Sequence, residues 1–177
     1  MSALALRVQA MTDIRYAYFT HRTGPRGTWE AAVRRTGDDE ALVGLGLLPP
    51  GVDPMNEDMP SPLTEKLFKE LAEYLDGERT EFDIPLAPEG TEFRRAVWDV
   101  LRRIPYGETR SYKEVALAIG DPNAARAVGG ACNRNPILVL IPCHRVIGSA
   151  GDPTGFALGL DVKTSLLELE AAHRPEP

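Results

Sequence analysis

At 177 residues with 43% hydrophobic side chains, the chain is long enough for one domain with a good core or for two small ones. Two cysteines at unrelated positions make neither a disulfide framework nor a zinc ligand set, no secretory leader pattern opens the chain, and no apolar run approaches the ~20 residues of a membrane span, so a reduced, cytoplasmic protein is expected. The net charge of −6 is uneven: residues 1–90 hold 9 Lys/Arg against 16 Asp/Glu (−7), residues 91–148 hold 9 against 5 (+4), and residues 149–177 hold 2 against 5 (−3). A cationic middle permits phosphate contact, while the acidic remainder weakens non-specific binding and makes affinity salt-sensitive.

Residues 1–10 carry no turn chemistry or periodicity and are expected to be loosely ordered. Ile14, Tyr16 and Tyr18 alternate as in a strand, Gly24-Pro25-Arg26-Gly27 turns the chain, and Thr28 to Arg34 and Ala41 to Leu47 read as further strands of a small antiparallel sheet. The stretch from Pro49 to Pro60 holds four prolines and few strong apolar residues, as a connection does. Ser61-Pro62 then places an N-cap before a proline at the first helical position, and Leu63, Leu67, Phe68, Leu71 and Leu75 form a stripe ending at Gly77.

Asp83 to Glu89 reads as a linker. Thr91 caps a helix with Phe93, Ala96, Val97, Val100, Leu101 and Ile104 on its apolar face. Ser111-Tyr112-Lys113-Glu114 matches a capping box, so a helix should start at Tyr112 and stop near Gly120. Asp121-Pro122 turns the chain and Asn123 is placed to cap a second helix reaching about Cys132. Two short helices around a tight turn are a helix-turn-helix candidate, although a packed pair with no DNA role has the same pattern. The second helix has almost no side-chain bulk (Ala124, Ala125, Ala127, Gly129, Gly130, Ala131), and Arg126 is its one long side chain. Asp161 to Ala172 reads as a closing helix with Val162, Ser165, Leu166 and Leu169 inward.

The most informative stretch is Asn135 to Ile147. Five apolar residues, Ile137 to Ile141, form a short buried segment, and Pro142 leaves Cys143, His144 and Arg145 in irregular backbone at its end. A thiol of ordinary pKa ~8.5 is only slightly ionised at neutral pH, so a nucleophilic Cys143 needs a base or a cation nearby. His144 and Arg145 are the neighbours able to supply them. His144 serves only if the backbone turns there or a water bridges the two side chains. Cys132 has no such neighbour and reads as packing.

Pro142-Cys143-His144-Arg145-Val146, preceded by Asn133-Arg134-Asn135-Pro136 and by Ala125-Arg126-Ala127-Val128-Gly129-Gly130-Ala131, resembles the O6-alkylguanine-DNA alkyltransferases, the methylated-DNA–protein-cysteine methyltransferases. The resemblance runs from about Gly90 to Glu170. It implies an α+β fold: a small N-terminal antiparallel sheet with a helix over residues 1–82, a linker at 83–90, and a mainly helical DNA-binding and alkyltransferase domain over 91–177.

The resemblance also implies the site. Cys143 takes the alkyl group, His144 acts as base and Glu170 orients it; Asn135 fixes the turn before the cysteine, and Tyr112 assists base flipping and donates to the guanine ring. Arg126 fills the stack left by the flipped base, with Ser111, Ala125, Gly129 and Arg134 beside the DNA. Val146, Phe156, Ala157 and Leu158 line the pocket. The partner is double-stranded DNA carrying O6-alkylguanine, met by a monomer with no cofactor; some relatives bind structural zinc in the N-terminal unit, but that segment here offers only His21 and no cysteine, so no metal is expected. The thioether formed on Cys143 is stable, so one turnover per molecule is expected.

The chain departs from the family pattern in the pocket loop, commonly Gly-Tyr-Ala/Ser-Gly-Gly-Leu. Here it reads Gly155-Phe156-Ala157-Leu158-Gly159-Leu160, and Leu158 in place of a glycine is expected to narrow the pocket and, if that position needs positive φ, to strain the loop. Three other readings stay open on sequence: a cysteine hydrolase, a damage binder that flips bases without reacting, and a helix-turn-helix regulator.

Overall fold

The structure, a computed structural model, describes residues 14–21 and 27–174. The expectations for residues 1–10 and for most of the turn at 24–27 lie outside those residues. The fold is α+β: three antiparallel strands, β1 (Ile14–His21), β2 (Gly27–Thr36) and β3 (Asp39–Leu47), precede five helices and a short parallel pair of two-residue strands. Among the described residues no helix is long and apolar enough to cross a membrane.

The sheet turns Ala17, Trp29, Ala31, Val33, Leu42 and Leu45 into the core. In β1 the core face is therefore that of Ala17 and Phe19, opposite the Tyr16 and Tyr18 alternation visible in sequence. Tyr18 instead donates to Glu30 on the other face, at 2.9 Å. Leu42 and Leu45 are three residues apart and would face opposite sides of a regular strand. Pairing passes from Ala32–Gly44 to Val33–Leu42, so Val43 is a bulge that restores both leucines to one face.

Helix α1 (Pro62–Leu75) starts as its sequence dictates. Ser61 and Thr64 exchange side-chain-to-backbone hydrogen bonds, and Pro62 occupies the first turn, where no amide donor is needed. Its inner face carries Leu67, Leu71, Tyr74 and Leu75. The stretch 83–90 lies along the open edge of β3: Leu42 N donates to Pro85 O and Ala87 N to Leu42 O, both at 2.8 Å. Farther along that edge Leu45 N donates to Pro136 O (2.8 Å) and receives Leu138 N at its carbonyl (2.9 Å). The otherwise unpaired β3 edge thus holds the segment that leads to the cysteine.

Helix α2 (Glu92–Leu101) is capped by Thr91 and buries Val97, Trp98 and Leu101, leaving the expected inward Phe93 36% exposed. Trp98 takes the central place: its indole N–H donates to Ala131 O at 3.0 Å, and a Cβ on Gly90 would lie 2.7 Å from its ring. The two-residue strand β4 (Arg110–Ser111) leads into α3 (Tyr112–Ala118), where Ser111 and Glu114 close the expected capping box. Helix α4 (Ala125–Cys132) follows, packed on both α2 and α3. Asn123 does not cap it; the N-cap is Ala124, and Asp121 Oδ1 instead accepts from Asn123 N at 3.1 Å.

Residues 137–141 are buried but do not form a strand. Val139 adopts φ 70°, a left-handed conformation that costs a β-branched residue about 1–3 kcal/mol, and Ile141 N closes a turn onto Ile137 O at 3.0 Å. A 3-10 turn (Cys143–Arg145) follows, then β5 (Val146–Ile147) parallel to β4, then α5 (Leu160–Ala172). The buried face of α5 is Lys163, Leu166 and Glu170, and the expected inward Ser165 is exposed.

Candidate active site

The coiled 137–141 segment places Asn135 against Cys143. Asn135 Nδ2 donates to the Cys143 sulfur (3.1 Å) and to Ile141 O (2.7 Å), while its Oδ1 accepts from Ile137 N (3.0 Å). Cys143 is 3% exposed, and burial pushes its thiol up to about 11 against the lowering effects of the Asn135 hydrogen bond and the Lys163 charge. The resting side chain is therefore a thiol at neutral pH, and its reaction calls for a base.

The 3-10 turn supplies the backbone turn that sequence required of His144. The ring is fully buried, with Nε2 2.8 Å from Glu170 Oε1. A carboxylate partner assigns the proton to Nε2, which leaves Nδ1 as the acceptor of a neutral imidazole. Nδ1 has no hydrogen-bond partner among the described residues. Burial lowers the His144 pKa, opposed by Glu170, so the ring stays neutral and able to accept a proton.

Glu170 is the hub. Its Oε1 accepts from Tyr74 (2.6 Å), His144 (2.8 Å) and Arg145 (Nη2, 2.8 Å), and its Oε2 accepts from Gly107 N (3.0 Å) and Arg145 Nε (2.9 Å). Burial works to raise this carboxyl, but the hydrogen bonds from His144 and Arg145 outweigh it and hold the group at about 2. Arg145, a sequence candidate for activating the thiol, is turned away from it. Its guanidinium is engaged by Glu170, by Ile104 O at 2.6 Å, and by the face of Tyr106 at 5.7 Å.

Lys163 is a further buried charge. Its Nζ donates to Val146 O (2.5 Å) and Thr154 O (2.8 Å), tying the 148–159 loop to the strand after the cysteine. Tyr112 donates to the same Thr154 carbonyl at 2.9 Å. Ala157 and Leu158 line a cavity of about 790 Å³ with Leu47, Val52 and Val162, and Cys143 is not among its walls. Leu158 does not have positive φ; Gly155 (49°) and Gly159 (94°) do, so the expected strain at Leu158 is absent. Phe156 is half-buried against the core, and Val146 is fully buried.

On α4, Arg126 is exposed, and its guanidinium has no hydrogen-bond or ion-pair partner among the described residues. Ala125 and Gly129 are half-buried, and Arg134 is exposed at the helix end with Nη1 3.5 Å from Gly130 O. A Cβ on Gly129 would sit 3.7 Å from the Tyr112 ring, an ordinary contact, so packing within the protein does not require this glycine. Ser111 caps α3. Cys132 is buried, and its thiol is pushed up to about 12 by that burial, in keeping with a packing role.

Sequence reasoning missed Tyr74 and Lys163. Tyr74 lies seven residues after Leu67 and three after Leu71, on the stripe already drawn for α1, and Lys163 lies seven before Glu170 on one helical face.

Residues 92–172 match the family model for the DNA-binding domain of 6-O-methylguanine DNA methyltransferase. A methylated-DNA–protein-cysteine methyltransferase of Methanosarcina acetivorans is 56% identical over 112 residues, covering 61% of this chain and 72% of the relative. Another, from Mycolicibacterium paratuberculosis, is 57% identical over 107 residues, 60% of this chain and 65% of the relative. The crystal structure of the O6-methylguanine methyltransferase of Mycobacterium tuberculosis matches with a TM-score of 0.78 at 41% identity, covering 93% of this chain and 96% of that one. The same organism's protein in complex with DNA matches with a TM-score of 0.75 at 40% identity, over 91% and 95%. The chain belongs to the O6-alkylguanine-DNA alkyltransferase family, the methylated-DNA–protein-cysteine methyltransferases.

Proposed function

We propose that the protein reverses DNA damage directly: it turns an O6-alkylguanine out of the duplex and transfers the alkyl group irreversibly to its own Cys143, once per molecule. The observation that carries this reading is the neutral His144 ring, anchored through Nε2 to Glu170 with Nδ1 left as an acceptor, one residue along the chain from a thiol too weakly acidic to ionise alone. The thiol proton passes to Nδ1, directly or through one water, and Glu170 stabilises the imidazolium that forms.

The sulfur lone pair then attacks the O6-alkyl carbon in line, and the C–O bond breaks with its electron pair leaving on guanine. That charge is quenched by a proton donated to the ring, the role assigned to Tyr112, whose hydroxyl must first release Thr154 O. The lesion reaches the sulfur only when unstacked, at a cost of a few kcal/mol that is lower for a poorly paired base. Arg126, exposed and without a hydrogen-bond or ion-pair partner among the described residues, enters the vacated stack. Ser111, Ala125, Gly129 and Arg134 lie beside the phosphates and groove, where small side chains on α4 permit close approach. Residues 91–177 form the DNA-binding and transfer unit, joined through 83–90 to the N-terminal α/β unit, and the protein acts as a cytoplasmic monomer.

The test is mass spectrometry of the intact protein and its peptides after incubation with duplex DNA carrying one O6-methylguanine, with Cys143→Ala as control. One added methyl on the Cys143 peptide, saturating at one per protein, is expected. Tight lesion binding without a mass change would make the protein a damage binder instead.

A further inference from the structure

Tyr74 stands 96 residues from Glu170 in the chain, on the helix that covers the N-terminal sheet, yet its hydroxyl is 2.6 Å from Glu170 Oε1 and 3.4 Å from His144 Nε2. We propose that Tyr74 is a positioning residue of the transfer reaction: by donating to Glu170 Oε1 it sets how strongly that carboxylate draws on the His144 Nε2 proton, and so how strong a base Nδ1 is toward Cys143. The inference rests on the reading of Cys143 as acceptor and His144 as base.

Packing fixes the donor. The Tyr74 ring is fully buried, meets Tyr106 edge-on at 5.8 Å and 86°, and lies against Phe82 at 5.4 Å. Burial and the neighbouring Glu170 hold the hydroxyl well above the usual tyrosine range, so the proton stays on Tyr74. Since Nε2 carries its own proton toward Oε1, the tyrosine proton can only be given to the carboxylate.

A carboxylate oxygen shared among three donors is a weaker acceptor for each. With Tyr74 in place, Glu170 stabilises the imidazolium less than it otherwise would. The other charged groups acting on His144 are Arg145 on its own turn and Lys163 on α5, with Tyr106 beside Arg145 and Glu170; both cations also oppose ring protonation. Tyr74 is the member of this set supplied by the N-terminal half, which therefore contributes to the base as well as to packing.

The Tyr74→Phe variant keeps the ring and removes the donor, and Glu170 retains its bonds to His144, Arg145 and Gly107. Single-turnover methyl transfer would be followed from about pH 5 to about pH 9 for wild type, for Tyr74→Phe and for protein carrying 3-fluorotyrosine, a more acidic donor, at position 74. The expected result is an acid limb raised by roughly one pH unit in Tyr74→Phe and lowered with fluorotyrosine, with melting temperature and affinity for undamaged DNA near wild type. An acid limb that superimposes on wild type in both proteins overturns the proposal, whether or not the rate falls, because packing alone would then explain Tyr74. Should Tyr74→Phe fail to fold, the fluorotyrosine protein decides. Absence of transfer to Cys143 in wild type would instead overturn the functional reading.

Discussion

Asn135 Nδ2 is shared between the Cys143 sulfur at 3.1 Å and the Ile141 carbonyl at 2.7 Å, so one amide holds both the nucleophile and the turn that presents it. Replacing Asn135 with alanine leaves Ile141 O and Ile137 N without these partners in a buried place, at a cost of about 2–4 kcal/mol. It also removes a donor that lowers the thiol pKa. Asn135→Ala is therefore expected to unfold at lower urea and to react with iodoacetamide at Cys143 only at higher pH than wild type. An unchanged reactivity profile would remove Asn135 from the activation of the thiol.

Glu170 and His144 make stability depend on pH in two windows. Glu170 is held at about 2, below the ~4.3 of an unfolded glutamate, so its contribution is complete above roughly pH 4.3 and is lost as pH falls through about 2. His144 is held below its ordinary ~6.5, so the unfolded chain takes up the proton first and stability falls as pH drops below ~6.5. Urea midpoints are expected to rise from about pH 5 to about pH 7. His144→Gln keeps a donor for Glu170 but cannot titrate, and it should flatten that rise. Glu170→Gln leaves Arg145 buried without its counter-charge and is expected to cost about 3–5 kcal/mol.

Most helix starts are legible in the sequence because they depend on neighbours a few residues apart; Asn123, whose amide donates to Asp121 while Ala124 is the N-cap, is the exception. Ser61-Pro62, Thr91 and the Ser111/Glu114 box start their helices where local chemistry places them. The misread face of α5 has a different cause. The inward face of α5 read from sequence passes through Ser165 because Lys163 and Glu170 look like surface residues, and only distant carbonyls and donors show that they are inside. Ile137 to Ile141 is the buried segment its composition indicates, but nothing local records that its hydrogen bonds go to β3 and back onto itself and that Val139 turns left-handed. The Cys143, His144 and Glu170 array could be drawn from family motifs, whereas Tyr74 reaches it through tertiary packing that no local pattern records.

Lys163 holds the pocket loop and acts electrostatically on the thiol. Its ammonium bonds to Val146 O and Thr154 O, and its charge lowers the Cys143 pKa against burial. Lys163→Met preserves the buried stem and removes both effects. Amides of residues 148–159 should exchange faster with deuterium, and methyl transfer at neutral pH should slow by about tenfold for each unit by which the thiol pKa rises. Unchanged exchange in the loop would show that Tyr112 alone holds Thr154.

Under the proposed function Leu158 would narrow the alkyl pocket by bulk alone, since its backbone is unstrained and its side chain packs against the core. A glycine there would remove about four carbons of side chain, enough to admit a larger alkyl group if Leu158 borders it, while a methyl needs no such room. Leu158→Gly is therefore expected to accept O6-benzylguanine severalfold faster than wild type while repairing O6-methylguanine at a similar rate, with a stability loss of about 1–2 kcal/mol from the half-buried side chain. Competition between the two substrates, read as benzyl or methyl on the Cys143 peptide, measures the ratio directly. Equal benzyl transfer in both proteins would show that Leu158 does not limit the pocket, and would place the size limit at Phe156 or Val146.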